Sequence, residues 1–219
     1  MNLRLQKFLS YFSDILIEKT KSDLHTDLSV YLSNGKYMLN SAECNYSYGS
    51  LHFAFQRQFS KLHVENFSIE DALILGFGAG SIASILHEEY SLNCHIMGVE
   101  KDHKILELGY KYFNVQRFTN TEIIEDDATH FLENNSKDYD FIVADIYIGN
   151  DVPALCETEY FLSLLFKALS INGLIIFNKF YYDKKTKESA DRLVICFNKV
   201  FPKVKVDKNN GYMIVAAKS

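Results

Sequence analysis

The amino-acid sequence predicts an α/β fold, a mostly parallel sheet covered by helices on both faces and closed by an antiparallel pair, with a small α+β extension in front. Three observations carry this reading. From Asp71 onward short apolar runs alternate with amphipathic segments; the first run, Leu73-Ile74-Leu75, leads straight into Gly76, Gly78 and Gly80; and two apolar runs near the end flank Asn210-Gly211. Alternating strand and helix patterns require crossover connections, and crossovers join parallel strands.

Taken in order, the apolar stretch 3–17 reads as one short amphipathic helix. Asp14 interrupts it and no small-residue cleavage site follows, which argues against a secretion signal. Leu28, Val30 and Leu32 alternate with polar neighbours, Asn34-Gly35 supplies a two-residue turn, and Tyr37 and Leu39 resume the alternation, so a β-hairpin is expected. Leu51, Phe55, Phe59 and Leu62 recur at helical spacing. Residues 1–66 are therefore assigned to the extension and 67–219 to the main domain. There, strands are expected at 72–75, 96–99, 123–124, 141–144 and 174–177, and helices at 80–90, 102–113, 127–134, 157–169 and 185–199. Val204 and Val206, then the run Met213 to Ala217, supply the terminal antiparallel hairpin and bring the sheet to seven strands.

Composition narrows the classes. The chain has 219 residues, 47% apolar and 23% charged, with ten Gly and two Pro, which suits one large domain plus a small appendage. A net charge of -5 and the absence of a basic run disfavour a nucleic-acid partner. Cys44, Cys94, Cys156 and Cys196 form no C-x-x-C pair, so neither a zinc site nor a disulfide framework is indicated and a reducing cytoplasm is the expected location. No stretch approaches the roughly 20 apolar residues of a membrane span.

Four candidate sites fall at the ends of successive expected strands. Gly76, Gly78 and Gly80 let a ligand press against backbone at a helix start, or else simply make a tight turn. Their G-x-G-x-G spacing, followed by Ser81, departs from the dinucleotide fingerprint. Glu100, twenty positions beyond Gly80, can accept the two hydroxyl hydrogens of an unphosphorylated ribose, or else be a charge at a strand end. Asp127, before Ala128, suits a helix N-cap and an acceptor for an adenine amino group. Asp145 follows the run Phe141 to Ala144 and faces the reacting end, where a cationic sulfonium or an incoming amine would lie. Residues 147–153, punctuated by Gly149 and Pro153, form either a lid or a plain connection. Tyr46, Tyr48 and Tyr147 offer aromatic faces to a cation, or pack as core. His87, His95 and His103 lack metal-ligand spacing, and no G-x-S-x-G motif is present.

With these motifs, the chain resembles the spermidine synthase-like family of class I S-adenosylmethionine-dependent methyltransferase-fold proteins. The resemblance covers Asn34-Gly35, Tyr46-Ser-Tyr-Gly49, the run from Leu73 to Ser81, Glu100, Asp127-Ala128, Tyr139 to Asp145, and Phe161 to Gly173. It implies a Rossmann-like class I methyltransferase fold and a donor that is S-adenosylmethionine or its decarboxylated form, without a metal. It also implies that Gly76, Gly78 and Gly80 hold the methionine portion, Glu100 the ribose, Asp127 and Ala128 the adenine, and Asp145 the transfer centre. Tyr48 and Tyr147 are expected at the substrate, and a homodimer is implied by the same resemblance.

The chain departs from polyamine-forming members where they read Asp-x-x-Asp-Pro: here Asp145-Ile-Tyr-Ile148 lacks the second acid. Met38 and Tyr48-Gly49 stand where those enzymes have Gln and a Tyr-His pair. Asp151, Glu157 and Glu159 are the nearby acids that would replace the missing one. Methyl transfer to a small acceptor is the leading expectation, because in-line displacement depends chiefly on positioning. Aminopropyl transfer to a polyamine is the alternative, and a non-catalytic nucleoside-binding module the third.

Overall fold

In the computed structural model, which describes residues 2–41, 45–209 and 212–218, the chain builds two sheets. The first is antiparallel throughout, in the order β1 (Ile15–Thr20), β2 (Leu28–Ser33), β3 (Lys36–Ser41), β4 (Asn45–Ser47). Its central hairpin turns at Asn34 and Gly35, whose φ values of 49° and 76° are those of a two-residue turn matched to strand twist.

The single helix expected over 3–17 is instead α1 (Leu3–Leu9) followed by β1. Ser10 ends the helix: its hydroxyl donates to the Lys7 carbonyl at 2.7 Å and accepts the Gly35 N–H at 2.8 Å, while its own carbonyl accepts the Asn34 N–H at 2.9 Å. Beyond Asp14, Ile15 and Leu16 pair with Leu32 and Tyr31 of β2, and after an irregularity at Ile17 the pairing resumes at Glu18. α1 itself buries no residue.

After α2 (Ser50–Leu62) comes the larger sheet, in the order β10-β11-β9-β8-β5-β6-β7. Five strands are parallel: β5 (Asp71–Leu75), β6 (His95–Glu100), β7 (Thr121–Glu125), β8 (Tyr139–Ala144) and β9 (Leu169–Phe180). Between them run α3 (Ser81–Ser84), which continues through a wide π turn to Glu89, then α4 (His103–Tyr112), α5 (Ala128–Asn134) and α6 (Glu159–Ala168). α7 (Lys184–Val200) precedes the antiparallel pair β10 (Lys203–Asn209) and β11 (Tyr212–Lys218). The expected turn at Asn210-Gly211, like Cys44, lies outside the described residues. β9 starts five residues earlier than its apolar run, because a left-handed Asn172 (φ 64°) carries the chain through Gly173 without breaking the strand.

The central strands β5, β8 and β9 are buried on both faces, so their side chains divide by parity. Ala72, Ile74, Phe141, Val143, Leu174 and Ile176 join one core with α2 and the extension, whereas Leu73, Leu75, Ile142, Ala144, Ile175 and Phe177 join the other with α6 and α7. Phe59 of α2 meets Phe141 edge to face at 5.4 Å. Among the described residues no helix is long and apolar enough to cross a membrane.

The chain runs outward from β5 through β6 to β7, then returns to place β8 and β9 on the other side of β5. This reversal leaves a gap above the carboxyl ends of β5 and β8, the place where open α/β sheets hold ligands. Gly76 seals its floor: Asp145 N–H donates to the Leu75 carbonyl at 2.8 Å, and a Cβ at Gly76 would stand 2.1 Å from the Asp145 carbonyl oxygen. Gly76 also has φ 81°. Gly76→Ala is expected to destabilise the fold by about 3 kcal/mol or more, through clash and left-handed strain together. An unchanged urea midpoint would contradict this packing.

Candidate active site

Above that reversal lies a cleft whose empty space, counted out to open solvent, is about 840 Å³. Gly76, Gly78, Glu100, Asp127, Ala128, Asp145 and Tyr147 all line it, so seven of the nine residues expected from sequence meet at one place. Gly80 and Tyr48 do not line it. Gly80 (φ 88°) faces Phe118 and Val115, and the Tyr48 ring is stacked between His52 and Phe113, each at 5.4 Å. The Tyr48 hydroxyl donates to the Gly80 carbonyl at 3.3 Å and accepts from Arg117 at 3.1 Å. Tyr48 therefore braces the glycine turn from behind and is not on the cleft wall.

Glu100 is buried and held by backbone: Oε2 accepts the Gly78 N–H at 2.9 Å and Oε1 the Asp102 N–H at 3.0 Å. A carboxylate has roughly four lone-pair sites, so these bonds orient both oxygens and leave about two acceptor positions for a diol. Burial pushes its pKa above the usual carboxylate range, against the pull of the two N–H bonds. Asp127 caps α5, accepting from Thr129 N–H at 2.8 Å and His130 N–H at 3.3 Å, and pairs with Lys101 at 3.0 Å. Burial works to raise its pKa, but the Lys101 pair and the helix N–H groups hold it below the ordinary value.

Asp145 stands opposite, with Asn178 Nδ2 donating to its Oδ1 at 2.9 Å. What exposure Asp145 keeps is toward the cleft, and burial raises its pKa to about 7; the nearby Glu100 charge adds to the rise, while the Asn178 bond opposes it. Tyr147 packs its ring on Phe180 at 4.5 Å; its hydroxyl donates to the Asn178 carbonyl at 3.2 Å and accepts the Phe180 N–H at 2.9 Å.

The acids proposed as replacements for the missing carboxylate are committed elsewhere. Asp151 pairs with Lys185, Glu159 with Lys199, and Glu157 with the buried Lys179. None of the three lines the cleft. The connection 147–153 makes a tight turn, with an isolated bridge between Ile148 and Asp151, and sets Tyr147, Ile148 and Pro153 on the cleft wall.

Sequence reasoning missed two contributors. Asn178 ends the apolar run of β9, and a polar residue at the carboxyl end of a buried strand is the same signal that singled out Asp145. The other is the β1–β2 connection, whose Leu24 and His25 form one wall of the cleft with Leu51 of α2. Ser22 anchors it: its hydroxyl donates to Asp102 and accepts the N–H groups of Leu24 and His25, and His25 Nε2 lies 3.7 Å from Asp102 Oδ2. Among the described residues no group of His, Cys, Asp and Glu is arranged to hold a metal ion.

Comparison with known proteins gives consistent results. A family described as a methyltransferase domain matches residues 70–218. A polyamine aminopropyltransferase of Vibrio vulnificus is 32% identical over 118 residues, a stretch that is 52% of this chain and 39% of that protein. Among solved structures, a probable spermidine synthase from Corynebacterium glutamicum superposes with a TM-score of 0.76 at 18% identity, over 93% of this chain and 79% of that one. Human methyltransferase-like protein 13, in complex with SAH, gives 0.61 at 17% identity, over 78% and 82%. These two likenesses establish a shared fold.

The raised pKa of the partly buried Asp145 makes stability depend on pH. With a folded pKa near 7 and an ordinary unfolded value, the folded state holds the proton more tightly. The resulting stability is complete below about pH 4 and is lost as pH rises through 7. Asp145→Asn, which removes the charge, is expected to be more stable than the wild type at pH 8 by ~2–4 kcal/mol, with the gap narrowing toward pH 4. Urea titrations at both pH values check this; a variant that is weaker at pH 8 refutes the assigned burial.

Proposed function

Since the chain belongs to the methyltransferase domain family, with the fold shared by spermidine synthases and methyltransferases, we propose that it transfers an alkyl group from a sulfonium-linked adenosine to a small acceptor. The observation that carries this is the convergence of Glu100, Asp126, Asp127 and Asp145 on one cleft whose lining lysine, Lys101, is already paired with Asp127. Such a cavity attracts a cation and resists an added carboxylate. Decarboxylated S-adenosylmethionine carries a sulfonium and an ammonium and no carboxylate, so aminopropyl transfer is the first reading. The name of the Vibrio relative supports the same choice.

In this reading Glu100 accepts the ribose hydroxyls, Asp127 and Ala128 border the adenine, and Gly76 and Gly78 bring backbone close to the sulfur-bearing chain. Asp145 and Tyr147 border the transfer end. The acceptor amine attacks the carbon bound to sulfur; the carbon–sulfur bond breaks, and its electron pair returns to sulfur as a neutral thioether. The amine proton passes to Asp145, whose pKa near 7 suits a base at neutral pH. Methyl transfer is the second reading. It is favoured by Asp145 standing alone, with Ile148 where polyamine-forming relatives carry a second acid, since methyl displacement needs alignment more than acid–base groups.

Calorimetric titration with methylthioadenosine, decarboxylated S-adenosylmethionine and S-adenosylmethionine separates the readings. The decarboxylated donor is expected to bind more tightly than the parent, and Glu100→Gln to weaken both about ten- to a hundredfold by removing charge-assisted bonds. Tighter binding of S-adenosylmethionine, with label moving from its methyl group, would select methyl transfer. Failure of all three to bind would overturn the proposal.

We propose that the expected homodimer forms through the extension. Leu3, Leu5, Phe8 and Phe12 are exposed on and beside α1, and β1 is an edge strand of the first sheet. Sedimentation should show a dimer that Phe8→Asp with Phe12→Asp converts to monomer; a monomeric wild type rejects the placement.

A further inference from the structure

Asn178 is wholly buried yet lines the cleft. The donor side of its amide is committed to Asp145 Oδ1 at 2.9 Å. The acceptor side, Oδ1, has no hydrogen-bond partner among the described residues and is closed to solvent. A buried amide oxygen in that state is destabilising, because no bond replaces the one it gave up to water. Turning the amide over would set this oxygen against the Asp145 carboxylate, so the orientation is imposed by its neighbour. The backbone is equally fixed, because the Tyr147 hydroxyl bridges the Asn178 carbonyl and the Phe180 N–H.

Resting on the alkyl-transfer reading above, we propose that Asn178 Oδ1 is the second hydrogen-bond acceptor of the acceptor-substrate subsite, and that with Asp145 it selects a primary amine over hydroxyl or carboxylate nucleophiles. The selection follows from counting hydrogens. An ionised Asp145 and the Asn178 oxygen are both acceptors, so the group that joins them must bring at least two hydrogens of its own. An amine has two and an ammonium three, a hydroxyl has one, and a carboxylate none. Mismatch is penalised heavily, because the unmet Asn178 oxygen stays buried. The amide oxygen also does this without a charge. It steadies the nucleophile while leaving Asp145 as the group that takes the proton, and it occupies the role that Asp151, Glu157 and Glu159 do not fill.

The test is calorimetry of the full chain saturated with methylthioadenosine, comparing 1,4-diaminobutane with 1,4-butanediol. Wild type is expected to bind the diamine and not the diol. Asn178→Leu should weaken the diamine at least tenfold and leave methylthioadenosine within twofold. Asn178→Asp keeps an oxygen at the position but loses the donor to Asp145; diamine affinity should stay within threefold. If the Asp variant loses the diamine as completely as the Leu variant, Asn178 acts only by holding Asp145 and the proposal falls. It falls equally if the diol binds as well as the diamine, or if Asn178→Leu leaves the diamine unchanged. Those results leave the donor reading standing when methylthioadenosine binds, whereas its failure to bind wild type overturns both.

Discussion

The site depends on one buried carboxylate. Glu100 accepts the Gly78 N–H from the glycine turn and the Asp102 N–H from the start of α4, while its own carbonyl accepts the Asp126 N–H at 3.0 Å from the turn after β7. Three loops that share no sequence are thereby held to one residue. The arrangement is also self-limiting: the bonds that align the carboxylate do not remove the penalty of burying its charge, and its pKa remains raised. A ligand offering hydroxyl hydrogens would supply what the backbone does not.

The same economy holds at the other end of the cleft. Asp145 and Asn178 leave an acid with a raised pKa and an amide oxygen without a partner among the described residues, both on the wall of the cleft. A protein selected for stability alone would pair or delete these groups; a site that must meet charge and N–H groups retains them. The ion pairs of Asp151, Glu157 and Glu159 show that nearby acids are neutralised where they are not needed.

Much of this was legible from the chain because the relevant rules are local. A buried parallel strand needs an apolar run, a left-handed turn needs glycine or asparagine, and a strand end at the open rim exposes whatever residue follows the run. Gly76, Glu100, Asp127 and Asp145 obey these rules, and they meet at the cleft. Residues 15–17 misled because an apolar stretch of that length fits either period, and the decision was made by an edge of β2 that local pattern cannot see. Tyr48 misled for the opposite reason: its neighbourhood pointed to the cleft, but a positive φ of 61° and a stack with Phe113 turned its ring behind the glycine loop. Asn178 and His25 were hidden because their importance comes from partners 33 and 77 positions away, Asp145 and Asp102.

Finally, the extension is fastened to the glycine turn by a reciprocal serine clip. Ser47 Oγ accepts the Ala79 N–H at 3.0 Å, and Ser81 Oγ accepts the Tyr48 N–H at 2.8 Å. Because Leu24 and His25 also wall the cleft, any occupant touches chain from both sheets at once. Occupancy therefore couples two layers that could otherwise open separately: the smaller sheet cannot peel away without releasing the occupant. Binding free energy then appears as cooperativity, merging the melting of the two layers into a single event.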